Sequence, residues 1–224
     1  MTDAILFDFN GVLVDDEEQH RVALTRVAER FGLTVTREWY YAHILGFNDT
    51  LSFAEVFRVA NRTVPMDLVR RLVEEKAALY RQLIDEHLAF VPGAVAFVRA
   101  VAPAFRLGIV SGARREEVDL LLGRAGLTGC FEAIVAAEDV AHSKPDPAGY
   151  RAAHAALQRR APLDVRRCLA IEDSPAGVAA ARAAGMRCVA LTTSHRPAAF
   201  ADAAAVWPSF EGRGPADVRA VLAP

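Results

Sequence analysis

From residue 93 onward the sequence alternates between stretches with helical spacing and short apolar runs, and this alternation restricts the fold more than any other feature. Helical spacing falls at about 93–101, 114–125, 147–159, 175–184 and 215–222. Between these lie runs at 106–111, 132–136, 167–172 and 187–192, with a weaker one at 204–207, each too short for a helix and suited to a strand. Strands separated by helices of this length return to one sheet by right-handed crossovers, which makes the sheet mostly parallel. A further strand is predicted at 4–9, where Ala4-Ile5-Leu6-Phe7 is apolar at consecutive positions, the pattern of a strand covered on both faces. The fold class is therefore α/β. In such sheets ligands bind beyond the carboxyl ends of the strands.

The stretch from 16 to 88 breaks this scheme. It shows helical spacing at 17–31, with Gly32 as a stop, and again near 36–45, 50–60 and 66–87, without a strand signal. We expect an all-helical cap domain at 16–88, inserted after the first strand of a core domain formed by 1–15 and 89–224, with hinges near Val14 and Phe90. At 224 residues and 53% hydrophobic, the chain is large enough for a domain with an insert.

Charge and cysteine content narrow the partners. Acidic and basic residues number 28 and 26, and no basic run is present to follow a phosphate backbone, so nucleic acid is excluded as a partner. No apolar run approaches the roughly 18 residues that span a bilayer, and the N-terminus lacks the pattern of a secretion signal. A cytoplasmic protein without a membrane partner is expected, as a monomer or a homodimer. Cys130, Cys168 and Cys188 are widely spaced among apolar residues or glycine and read as reduced core residues.

Four predicted strands lead into residues that carry chemistry: Asp8 after the first, Ser111-Gly112 after the next, Ser143-Lys144-Pro145 beyond the third, and Glu172-Asp173-Ser174 after the fourth. Each alone has a plainer explanation. An Asp after a strand often caps a helix, Ser111-Gly112 is compatible with a turn, Lys144 with a solvated loop, and Glu172-Asp173-Ser174-Pro175 with a helix start. Together on one sheet edge they mean more. Asp8, Glu172 and Asp173 would repel one another unless a cation neutralised them, and hard oxygen ligands suit Mg²⁺. Lys144 and the Ser111 hydroxyl would hold an anion beside that ion, which points to phosphoryl transfer.

In order along the chain, Asp8-Phe9-Asn10-Gly11-Val12, Val110-Ser111-Gly112, Ser143-Lys144-Pro145-Asp146-Pro147 and Ile171-Glu172-Asp173-Ser174-Pro175-Ala176-Gly177 resemble the four motifs of the haloacid dehalogenase superfamily. The closer resemblance is to its β-phosphoglucomutase and phosphoglycolate phosphatase branch, whose helical cap follows the first motif. The resemblance implies a Rossmann-like core with helices on both faces of its parallel sheet. It implies Asp8 as a nucleophile that forms an aspartyl-phosphate, later hydrolysed by water. Mg²⁺ would be held by Asp8, the backbone carbonyl of Asn10 and Asp173, with Glu172 ordering its water shell, while Ser111, Gly112 and Lys144 take the phosphoryl group. The substrate would be a small phosphorylated metabolite.

Asn10 departs from the pattern. Phosphatases of this family carry a second Asp there, which protonates the leaving oxygen and then deprotonates the attacking water. An amide does neither, although its backbone carbonyl remains for metal. Losing a positioned acid and base lowers a rate by roughly 10² to 10⁴. Asn10 is compatible with an engineered trap for the phospho-enzyme, with a natural hydrolase whose acid comes from Asp15, Asp16, Glu17 or His20, or with a loss of turnover that leaves a phospho-ligand-binding protein. We favour the natural hydrolase. The acidic stretch Asp15-Asp16-Glu17-Glu18 also suits a helix N-terminus.

Other branches fit less well. Dehalogenation needs no metal, which leaves the Glu172-Asp173 pair without a purpose. Phosphonate hydrolysis through a Schiff base needs a cap lysine, and the chain has only Lys76 and Lys144. Lys76 resembles the mutase's substrate-binding lysine, with a solvated lysine beside Glu74 and Glu75 as the plainer reading. In the Gly46-Phe47-Asn48-Asp49 loop, however, Asp49 replaces the arginine with which the mutase holds a second phosphate, so the sugar-phosphate mutase is the alternative rather than the first reading. In the cap, His20, Asn48 and Lys76 are the candidate substrate-binding residues. Phe47 and His43 are further pocket candidates, and Trp39 and Tyr40 are expected in the cap core.

Overall fold

The computed structural model describes residues 3–45 and 47–223. The chain divides into two compact units, one comprising the residues up to Asp15 and those from Phe90 onward, the other Asp16–Ala89. Gly46, part of the cap loop singled out above, lies outside the described residues.

β1 (Ala4–Phe7) is buried at every position and ends two residues short of the predicted 9, because the chain turns at once. The Phe9 carbonyl accepts from the amides of Leu13 (2.8 Å) and Val14 (3.1 Å), which folds residues 9–14 into a tight loop. Val14 then bridges Phe90, and the Val91 amide donates to the Leu13 carbonyl at 3.1 Å. The chain thus leaves and re-enters this unit at adjacent points, and 74 intervening residues do not interrupt the sheet.

Asp16–Ala89 is helical: α1 (Glu17–Glu29), α2 (Arg37–His43), α3 (Asp49–Val59) and α4 (Met66–Glu86). α1 stops before Gly32, whose φ of 69° lies in the left-handed region that glycine adopts freely. The Thr36 side chain caps α2 by accepting from the Trp39 amide, and Asn48 caps α3 by accepting from the Leu51 amide at 2.9 Å. Leu24, Val27 and Ala28 of α1, Phe53 and Phe57 of α3, and Val69 and Leu72 of α4 close one core, each set recurring at the three- and four-residue spacing of one helical face. Tyr40 joins this core, whereas Trp39, expected there too, is only half-buried and stacks on His43.

The first unit resumes with α5 (Ala94–Val101), β2 (Arg106–Val110), α6 (Arg115–Ala125), β3 (Ala133–Val135), α7 (Ala148–Gln158), β4 (Cys168–Glu172), α8 (Pro175–Ala183), β5 (Arg187–Leu191), β6 (Ala205–Trp207) and α9 (Pro215–Leu222). Short 3-10 turns that the apolar pattern does not predict lie at 137–139, 165–167 and 197–200. The six strands form one parallel sheet in the order β3-β2-β1-β4-β5-β6, an α/β Rossmann-like arrangement. Alternate residues of β1 face opposite sides. Ala4 and Leu6 pack with Tyr150, Ala153 and Leu157 of α7 and Val178 and Ala181 of α8. Phe7 faces the other way, against Phe97 of α5, Phe131 and Phe210.

All three cysteines are free; Cys168 and Cys188 are buried and Cys130 is half-buried. Burial pushes the Cys168 thiol up to about 12. Among the described residues no helix is long and apolar enough to cross a membrane.

The helical unit also contains a half-buried acid whose ionisation opposes folding. Burial raises Glu17 above its ordinary 4.5, despite the His20 charge and a 2.6 Å hydrogen bond from the Tyr40 hydroxyl. An acid whose folded value lies above its unfolded one stabilises the fold below the unfolded value and loses that contribution as pH rises through the folded one. Glu17→Gln removes this dependence. Chemical unfolding from pH 4.5 upward is therefore expected to show the variant gaining stability relative to the native chain as Glu17 ionises.

Candidate active site

Parallel register aligns Phe7 of β1 with Ile109 of β2 and Ile171 of β4, so Asp8, just past the end of β1, comes level with Val110 and Glu172, the last residues of β2 and β4. The Asp8 amide donates to the Ile171 carbonyl at 2.9 Å, which carries the pairing one residue beyond the strand. Each of Asp8, Glu172 and Asp173 offers a carboxylate oxygen, and these oxygens lie within 4.8 Å of one another. Glu172 and Asp173 are buried, and Asp8 is 14% exposed.

Lys144 is the counter-charge. Its ammonium lies 2.8 Å from Asp8 Oδ1 and 2.6 Å from Glu172 Oε1, and donates to the Val110 carbonyl at 3.0 Å. Burial opposes its charge, but the Asp8 and Glu172 carboxylates outweigh that and hold the ammonium well above its ordinary 10.5. Glu172 moves upward too: burial and then the Asp8 charge raise it, against Lys144 and the Tyr150 hydroxyl, which donates to Oε1. Burial followed by the Glu172 charge raises the Tyr150 hydroxyl well above its usual value, so it remains a donor. One ammonium against three carboxylates leaves an excess of negative charge, and an all-oxygen donor set suits a hard divalent cation. The cluster fits the ion expected from the sequence.

Two glycines make this crowding possible. Gly11 has a φ of 71°, and a Cβ there would fall 2.0 Å from Asp173 Oδ2. A Cβ on Gly177, in the first turn of α8, would fall 1.9 Å from Glu172 Oε2. Ser174 caps α8 by accepting from the Gly177 amide at 3.0 Å.

Ser111 follows β2 directly and is buried; its Oγ accepts from the Ala113 amide at 2.9 Å. Gly112 is exposed in the same turn, where a Cβ would meet nothing within 4 Å, so close packing does not explain this glycine. Asn10 forms an isolated bridge with Val14.

Within the helical unit, several of the candidates lie in one network. Lys76 is 2% exposed, not solvated beside Glu74 and Glu75; it donates to Asp49 and lies 2.6 Å from His20 Nδ1. His20 stacks on Tyr80 with ring centroids 4.2 Å apart, and Asp16 accepts from the Tyr80 hydroxyl. Asn48, a candidate ligand contact, caps α3, its Oδ1 accepting from the Leu51 amide. Phe47 is exposed and His43 accompanies Trp39.

Sequence reasoning missed Tyr150 and the segment Thr193-Ser194-His195. The latter follows a predicted strand in the same way as Asp8, Ser111 and Glu172, so the rule that found those three applied here as well. Tyr150 gave no such signal, because on sequence it is one apolar position of a helix.

Residues 5–191 match the family model described as haloacid dehalogenase-like hydrolase. The chain belongs to that family and is a hydrolase of the haloacid dehalogenase superfamily. It is 30% identical over 207 residues to a validoxylamine A 7'-phosphate phosphatase of Streptomyces hygroscopicus subsp. limoneus, covering 88% of this chain and 89% of the relative. Among solved structures it is similar to a mutant CbbY from Rhodobacter sphaeroides in complex with xylulose-(1,5)bisphosphate, with 29% identity, a TM-score of 0.84, and 97% and 99% of the two chains covered. It also shares its fold with β-phosphoglucomutase from Clostridium difficile, at 22% identity and a TM-score of 0.88, over 99% and 97% of the chains.

The glycine at 177 is testable without a substrate. In Gly177→Ala the new methyl displaces Glu172 or α8, and overpacking of this kind costs about 1–3 kcal/mol. Urea unfolding is expected to show a loss of that size.

Proposed function

We propose that this protein is a Mg²⁺-dependent phosphatase that hydrolyses a small phosphorylated metabolite through an aspartyl-phosphate on Asp8. The observation that carries the reading is the Asp8 carboxylate at the tip of β1, held 2.8 Å from the Lys144 ammonium and clustered with Glu172 and Asp173. An acid there has a partner for an incoming phosphoryl group and a place for a cation beside it.

In this mechanism Asp8 attacks phosphorus, the bond to the leaving alkoxide breaks, and the phosphoryl group becomes an acyl phosphate on Asp8. Lys144 and the Ser111 hydroxyl hold the phosphoryl oxygens as charge shifts among them. Mg²⁺, held by Asp8, the Asn10 carbonyl and Asp173 with Glu172 behind them, would neutralise charge between nucleophile and phosphate. Water then attacks the acyl phosphate and restores Asp8.

Asn10 sets the rate. Without a carboxylate at this position, residue 10 assists proton transfer neither to the leaving oxygen nor from the attacking water, and any acid must come from Asp15, Asp16, Glu17 or His20. Both chemical steps slow, and the acyl phosphate persists. The names of relatives support a phosphatase, and the mutant CbbY was found in complex with a bisphosphate; its mutation replaces an aspartate with asparagine, so ligand binding survives such an exchange in that protein. A mutase acting on a sugar phosphate is less well supported, because Asp49 already occupies the Lys76 ammonium within the helical unit. A phospho-ligand-binding protein without turnover remains the second reading, favoured by Asn10 alone.

A screen of small phosphomonoesters with Mg²⁺, run on the native chain and Asn10→Asp together, separates these readings. Slow phosphate release by the native chain and release roughly 10² to 10⁴ faster by the variant is the expected result. Release by the variant alone would convert the reading to the binding protein, and isomerised product sensitive to Lys76→Ala would convert it to the mutase.

A further inference from the structure

The segment after β5 carries three polar side chains, and all three meet the loops that bear the acidic cluster. β5 pairs with β4 so that Ala190 lies opposite Glu172, which brings residues 193–195 to the same sheet edge as Asp173. The Thr193 hydroxyl donates to the Gly11 carbonyl at 2.5 Å. The Ser194 hydroxyl donates to Asp173 Oδ2. The His195 ring places Nδ1 3.1 Å from the Asp173 carbonyl; a carbonyl only accepts, so Nδ1 carries the proton. His195 is in turn backed edge-on by Phe200, with centroids 6.0 Å apart.

These contacts converge on one point. A Cβ built on Gly11 would lie 2.0 Å from Asp173 Oδ2 and 2.9 Å from Ser194 Oγ, so the loop after β1, the acid after β4 and the hydroxyl after β5 pack against one another. A hydroxyl bonded to one carboxylate oxygen fixes the rotamer of Asp173 without neutralising it, and the carboxylate charge remains for a cation. Groups that orient a metal-binding carboxylate in this way typically contribute 10- to 100-fold in metal affinity.

We propose that Ser194 is a positioning residue for the divalent cation, acting through Asp173, with Thr193 and His195 fixing the backbone on either side. The proposal rests on the reading of Asp8, Glu172 and Asp173 as a metal site. It extends that site from the loops after β1 and β4 to a third, after β5, whose side chains meet Asp173 and Gly11.

Mn²⁺ binding, measured by calorimetry and electron paramagnetic resonance at one pH, tests it on the full chain without substrate. Ser194→Ala is expected to weaken Mn²⁺ binding about 10- to 100-fold with little change in the melting temperature of the metal-free protein, and Ser194→Thr, which keeps the hydroxyl, to restore most of it. Affinity of Ser194→Ala within twofold of the native chain overturns the proposal. So does an equal loss in Ser194→Thr, or a loss matched by unfolding of the metal-free variant. Absence of Mn²⁺ binding by the native chain overturns the metal-site reading itself, and this proposal with it.

Discussion

Mutual repulsion among Asp8, Glu172 and Asp173 is the constraint on which the rest of this architecture depends. Three carboxylates with oxygens within 4.8 Å, two of them buried, oppose folding unless something compensates them. Lys144 meets two of the three directly and is drawn from a different crossover, so part of the compensation depends on the sheet being assembled. Tyr150 relieves Glu172 from α7, and Ser194 reaches Asp173 from beyond β5. The remaining imbalance is what a divalent cation and a phosphoryl group would meet.

Backbone geometry makes such crowding affordable. Parallel register delivers Asp8 and Glu172 to neighbouring positions, and Gly11 and Gly177 supply the space that any side chain would take. The bridge from Val14 to Phe90 lets a helical unit be inserted directly after the loop that follows Asp8 while β1 remains central in the sheet.

Much of this was legible in the sequence because it follows from periodicity. Consecutive apolar residues at 4–7 and 168–171 have only one use in a chain that alternates with helices, and the residues immediately after them fall at the carboxyl edge of the sheet. What stayed hidden depends on contacts between distant segments. Lys76 reads on sequence as either a substrate-binding or a solvated lysine, and its burial between Asp49 and His20, 27 and 56 residues away, becomes visible only in the fold. Asn48 has the chemistry of a ligand contact and also of a helix cap, and only backbone geometry shows the cap. Trp39 carries a core residue's chemistry but sits at the edge of its helix packing, stacked on His43. Strand ends ran long in prediction because apolar character continues through Phe9 after the hydrogen-bonded ladder has ended.

The central claim is that Asp8 itself becomes phosphorylated, and Asn10 makes that claim unusually accessible, since the intermediate is expected to outlive the reaction that forms it. Mass spectrometry of the native chain after exposure to a small phosphoryl donor with Mg²⁺ is the most direct measurement. The account predicts an acyl phosphate on the peptide containing Asp8, lost on treatment with hydroxylamine and absent from Asp8→Ala. An acyl phosphate that persists in Asp8→Ala, or none in the native chain under conditions where it releases phosphate, would contradict it.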